Sequence, residues 1–226
     1  MNPRGMTLLE ASVSVVMMAG IMTLVAGLLG SARDATSVVN AATTAQTEAE
    51  RLVALVREEL RGSGISGQAN LQVVGRTIVY TRLDRSRPLF DDAAPLTPPW
   101  EAQRRVLAFE QDGAEVLGNS ADEDRDHLRD EGRLALYVRP AAGPDQLVSV
   151  LGNDVADPDA PGLPLAQRRP IFSLDQSGSL PRVTVVVDVE RVLQAAVRSG
   201  ADAATLAAGG GPRSRHRSVS VITLLN

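Results

Sequence analysis

From Ala11 to Ala32 the chain carries no charged side chain, and only Ser12, Ser14, Thr23 and Ser31 interrupt its apolar character. An α-helix rises about 1.5 Å per residue, so roughly 20 such residues cross the ~30 Å hydrocarbon core of a bilayer. Ala11–Gly30 meets that length and reads as a membrane segment or export signal, not as a core helix. All five Met residues fall within the first 22 positions, which marks the N-terminus as a separate environment.

The remainder has the make-up of one medium domain: 226 residues overall, 44% hydrophobic and 22% charged, neither disordered nor collagen-like. A net charge of -4 argues against a protein built to hold a nucleic-acid backbone. The absence of cysteine excludes disulfides, zinc–thiolate sites and thiol nucleophiles, and two histidines, His127 and His216, are too few for a histidine-rich metal centre. With aromatics at 3%, the core must rest on Val, Leu, Ile and Ala. No nucleophile elbow, P-loop or HExxH is present, so neither an enzyme nor a bound cofactor is expected.

Glu10 is the anomaly. It lies four residues inside the hydrophobic stretch that starts at Met6, where a lone carboxylate costs about 2–3 kcal/mol. A cleaved secretory signal has an apolar run of only about 7–15 residues. A plain signal anchor has the right length but gives the acid no purpose. The string Arg4-Gly5-Met6-Thr7-Leu8-Leu9-Glu10, followed by an uninterrupted apolar run, resembles the class III signal of type IV prepilins and type II secretion pseudopilins. The resemblance implies cleavage after Gly5 by a prepilin peptidase, methylation of the new N-terminal Met6, and an assembly role for Glu10. Met6 stands where the family usually has Phe and keeps an apolar side chain. In a bundle of parallel helices, Glu10 of one subunit can pair with the Met6 amine of a neighbour. Each charge then offsets the other's burial, and the pair fixes register.

The helix is expected to run on to about Arg61, because residues 31–61 lack proline and, after Gly30, glycine, and are rich in Ala, Glu, Leu and Arg. Leu52, Val56 and Leu60 recur at i, i+4 and i+8, with Val53 and Leu55 widening the stripe, while most Glu and Arg side chains occupy the other side. Gly62-Ser63-Gly64 ends it. Gly62–Gly67 matches G-x-G-x-x-G, but it follows a helix and precedes strand-like residues, the reverse of a dinucleotide fingerprint.

Beyond lie strands: Leu71–Val74 and Arg76–Thr81 around Gly75, and Arg105–Glu110 and Ala114–Leu117 around Asp112-Gly113. The alternating Leu134–Val138, Gln146–Leu151, Pro170–Leu174, Arg182–Glu190 and a closing Arg217–Leu225 complete the set. Glu190–Arg198 reads as a short helix and Ala203–Pro212 as a flexible stretch. The expected fold is α+β and pilin-like: a long N-terminal α-helix with a membrane-spanning first half, packed on an antiparallel β-sheet head. The segments are a leader (1–5), a filament-core helix (6–30), its amphipathic continuation (31–61) and an exported head (62–226). Leu52–Arg61, Ile78–Leu83 and Val219–Asn226 look like J-type minor pseudopilins and W-type minor pilins.

Three head segments are candidate sites. Asp122–Glu131 opens like a calcium loop, but His127 replaces the needed Gly and Arg133 the final acid, so a solvated loop is the reading. Asp154, Asp157 and Asp159 form a second possible calcium cluster. Arg213-Ser214-Arg215-His216-Arg217 is a compact basic stretch without aromatics for base stacking, read as a solvated loop. The resemblance implies as partners the prepilin peptidase, other pilin-like subunits, an inner-membrane assembly platform and, before assembly, membrane lipid; nucleic acid is not expected. It implies a single-pass inner-membrane protein with an exported head, later a periplasmic or cell-surface filament. The alternative is a signal-anchored exported binding domain that never polymerises.

Overall fold

The computed structural model describes residues 8–63, 71–84, 86, 100–111, 131–160, 163–178, 180–192 and 213–224. One helix, α1 (Leu8–Arg61), is followed by eight strands: β1 (Gln72–Val74), β2 (Thr77–Tyr80), β3 (Arg104–Gln111), β4 (Glu131–Arg139), β5 (Gln146–Ala156), β6 (Phe172–Asp175), β7 (Arg182–Val192) and β8 (Arg213–Thr223). The arrangement is α+β, one long helix with an apolar N-terminal half packed through its other half on a curled antiparallel sheet, as a pilin-like fold requires.

Strands β1 to β5 form a meander, and β5 then meets β7. β8 pairs with β7 along its whole length. β7's other edge is shared end to end: β6 pairs with Arg182–Val185, and β5 with Asp188 and Val189. The β1–β2 turn places Gly75 at φ +58, a left-handed conformation that glycine adopts without strain. Beside it, Arg76 forms an ion pair with the buried Asp157 at the end of β5 and stacks 5.6 Å above the Phe109 ring. That clasp ties the first hairpin to the end of β5 across the curled sheet.

α1 crosses the inner face of this sheet, lying mainly against β7 and β8. Its buried residues are Ala45, Ala49, Leu52, Val53, Val56 and Leu60, a stripe with helical spacing. They meet Val183, Val185, Val187 and Val189 of β7, which alternate inward with the two-residue period of a strand. Each fully buried Leu or Val contributes about 1.5–3 kcal/mol, so this stripe is a main source of head stability. Leu55, expected in the stripe, is 38% exposed, because at 100° per residue it falls outside the arc defined by Leu52 and Val56. Gly152 of β5 lets the helix approach closely: a Cβ there would stand 2.4 Å from a Leu52 methyl. The helix closes where expected, with the Ser63 amide and hydroxyl both donating to the Leu60 carbonyl at 2.9 and 2.5 Å.

Several boundaries differ from expectation: β4 begins at Glu131 and not at Leu134, and β5 runs on to Ala156 instead of ending at Leu151. Glu190–Val192 continue β7 instead of opening a helix, because β8 extends far enough to pair with them. β8 begins at Arg213, so the basic stretch Arg213–Arg217 is strand and not loop; Asp188 supplies the reason, as described below. The leader with Gly5 and Met6, the Ala114–Leu117 hairpin strand, residues 122–130, 193–198 and 203–212 lie outside the described residues.

Candidate functional site: the apolar half of the N-terminal helix

α1 has 54 residues and is therefore about 80 Å long. From Leu8 to Leu29 every large apolar side chain is exposed, by 45–90%, so no face of this half is used by its own head. By length and composition it is the one helix among the described residues able to cross a membrane. All four of its polar side chains between Ala11 and Ala32 are satisfied within the helix. Ser12 donates to the Leu9 carbonyl at 2.8 Å, Ser14 to that of Glu10 at 2.9 Å, Thr23 to that of Ala19 at 2.9 Å, and Ser31 to that of Gly27 at 3.1 Å. A surface of this kind enters hydrocarbon, or packs against other helices, without stranding a donor. Glu10 stands exposed in the first turn, where the positive end of the helix macrodipole favours a carboxylate.

The head carries several ion-pair clusters, and each has an architectural explanation. Near the C-terminal end of α1, Glu59 accepts from the Tyr80 hydroxyl and from Arg105, both at 2.9 Å, and from Arg82 at 3.0 Å. Burial, reinforced by the Glu59 charge, raises the Tyr80 phenol well above the ordinary tyrosine range. Glu101 holds Arg105 in a two-pronged pair at 2.8 and 3.0 Å. The set pins the helix end to β2 and β3. On the opposite face of the sheet, fully buried Asp188 of β7 lies beneath Arg215 and Arg217 of β8, with both Arg217 bonds at 2.7 Å. Two of the three arginines of the basic stretch thus share one carboxylate, and Arg217 also donates to the Gln167 carbonyl at 2.9 Å.

The possible calcium cluster is dispersed. Asp154, left-handed at φ 56 where β5 is irregular, pairs with Arg191; Asp157 pairs with Arg76 and caps the Asp159 amide at 2.9 Å. Among the described residues no group of three or more His, Asp or Glu side chains converges to hold a metal ion. Glu131, the described member of the Asp122–Glu131 segment, is buried at the start of β4. Sequence reasoning missed Glu59, set among the outward Glu and Arg of the helix, and the partnership of Asp188 with Arg215 and Arg217. The alternation of Asp188 and Glu190 against the valines of β7, met by alternating arginines in the last strand, was the available signal. No family model, curated protein or solved structure matches the chain.

Proposed function

We propose that this chain is a minor pilin-like subunit of a type IV pilus or type II secretion pseudopilus, with a structural and not an enzymatic role in filament assembly, priming or tip formation. The observation that carries the reading is the division of one continuous helix into two halves. The N-terminal half is apolar all round, internally satisfied and exposed; the C-terminal half is locked into the head. Such a helix has a use for two environments in turn. Lipid bathes it while the subunit sits in the inner membrane with its head exported. Other pilin-like subunits replace the lipid once the assembly platform recruits it, leaving the head in the periplasm or at the cell surface.

Processing by prepilin peptidase after Gly5 creates the charge that assembly needs. The new Met6 amine stays cationic after methylation, and Glu10 lies one helical turn away. Neighbouring subunits displaced axially by about one turn bring Glu10 of one opposite the amine of the next, so neither charge is buried alone. Glycines at 20, 27 and 30, each with open space where a Cβ would be, allow close helix approach.

N-terminal analysis and intact mass of protein from native membranes test this directly. The expected chain begins at methylated Met6. A retained Met1–Gly5 leader, or a chain that starts beyond Ala32, would sink the proposal in favour of a plain anchor or a secreted domain.

A further inference from the structure

Between the apolar span and the head, α1 crosses a stretch whose helix is held by little beyond its own backbone. The uncharged span ends at Ala32, and the first buried helix residue is Ala45. From Ala35 to Thr47 no residue is charged, so ion pairs of the Glu48–Arg51 kind cannot form within this stretch, and the i,i+4 bond between the Gln46 and Glu50 side chains, at 2.9 Å, starts beyond Thr44. Of the ten residues Ala35–Thr44, seven are Thr, Ser, Val or Asn, all poorer helix formers than Ala, Leu, Glu or Arg. Val38 and Val39 are 44% and 62% exposed, so packing contributes little. Thr36, Ser37 and Thr43 donate to the carbonyls of Ala32, Asp34 and Val39 at 2.8 Å, a pattern that slightly weakens and bends helices.

Both flanks are secured by their surroundings. In a bilayer, backbone groups of the span have no partner but each other, which enforces the helix. Above Ala45 the sheet packs against it. Most helical stability in proteins comes from packing one face, and Ala35–Thr44 has no buried side chain, only Ser37 and Ala41 being half-buried. We infer that Ala35–Thr44 is a conditional helix: a hinge that opens while the protein stands alone in a bilayer and closes when another surface packs against it. Opening raises the advance per residue from about 1.5 Å toward 3.3 Å, so the head gains reach as well as swivel. This rests on the proposed bilayer location of the span, but not on filament assembly.

The test is hydrogen exchange on the full chain in nanodiscs of phosphatidylethanolamine and phosphatidylglycerol. Amides of Ala35–Thr44 are expected to exchange at least about tenfold faster than those of both Ala11–Gly30 and Leu52–Leu60. The variant T36A/S37A/V38A/V39A/T43A/T44A should slow them by about fivefold or more, because alanine raises intrinsic helix stability at each position. Protection equal to both flanks, or exchange unchanged in the variant, overturns the hinge. Loss of protection across Ala11–Gly30 overturns the bilayer premise instead, and the hinge argument with it.

Discussion

At the scale of single residues, the head is organised by carboxylates that each hold arginines from another element. Asp188 is the extreme case, fully buried while Arg215 and Arg217 remain about one third exposed. Replacing a buried ion leaves its partners facing one another without a counter-charge. Asp188→Asn is therefore expected to cost about 3 kcal/mol in urea unfolding, the lower end of the range for broken buried pairs because water reaches both arginines. Arg217→Met, which leaves Arg215 in place, should cost less. A loss below 1 kcal/mol for Asp188→Asn would show that the arginines find other partners. Tyr80 gives the head a pH limit of the opposite sign to acid unfolding. Its phenol is held protonated in the folded state, chiefly by burial, while the unfolded chain releases that proton near pH 10, the ordinary tyrosine value. Between those two values the folded state binds more protons, so stability is full below about pH 10 and falls as pH rises further. Tyr80→Phe should flatten that alkaline decline; an unchanged slope from pH 9 to 11 would rule Tyr80 out as its cause.

At the scale of elements, Gly152 marks a point where helix and sheet leave no room for a Cβ. Gly152→Ala puts a methyl against Leu52 and is expected to cost about 1–3 kcal/mol, as overpacked cores do. Leu52→Ala opens space at the same point, so the double variant should lose less than the sum of the two single losses, with a coupling of about 1 kcal/mol or more. Strict additivity would mean the helix shifts to accommodate the methyl. Elements with a strong local period were legible in the sequence: the helix from its composition and its Leu52–Val56–Leu60 stripe, β7 from four alternating valines. The N-terminal signal was legible because it is contiguous. Pairing was not. Nothing local tells that β5 and β6 share one edge of β7, or that Arg76 reaches Asp157, since these contacts join residues far apart in the chain. The arginine-rich start of β8 lacks the apolar alternation that announces a strand; it is held as one by its ladder with β7 and by the buried Asp188 beneath Arg215 and Arg217.

At the scale of the whole molecule, the helix separates two tasks, and a substitution in one half should leave the other untouched. Glu10 lies 35 positions before the first buried helix residue, Ala45. Glu10→Ala is thus expected to leave the Tm of the head within about 1 °C and, under the filament role proposed above, to abolish incorporation into filaments. Cross-linking of the single variant to its neighbours in cells reads out the second effect, and normal incorporation would remove Glu10 from the assembly mechanism. The same helix also sets the order in which the head can come into being. Its inward stripe leaves the ribosome well before β7 and β8, against which it mainly packs. Arg57 and the Ser220 hydroxyl it binds are 163 positions apart. Until β7 and β8 emerge the stripe therefore lacks its main partners, and the newborn chain holds an incompletely covered apolar face that any chaperone or export factor meets before the fold can conceal it.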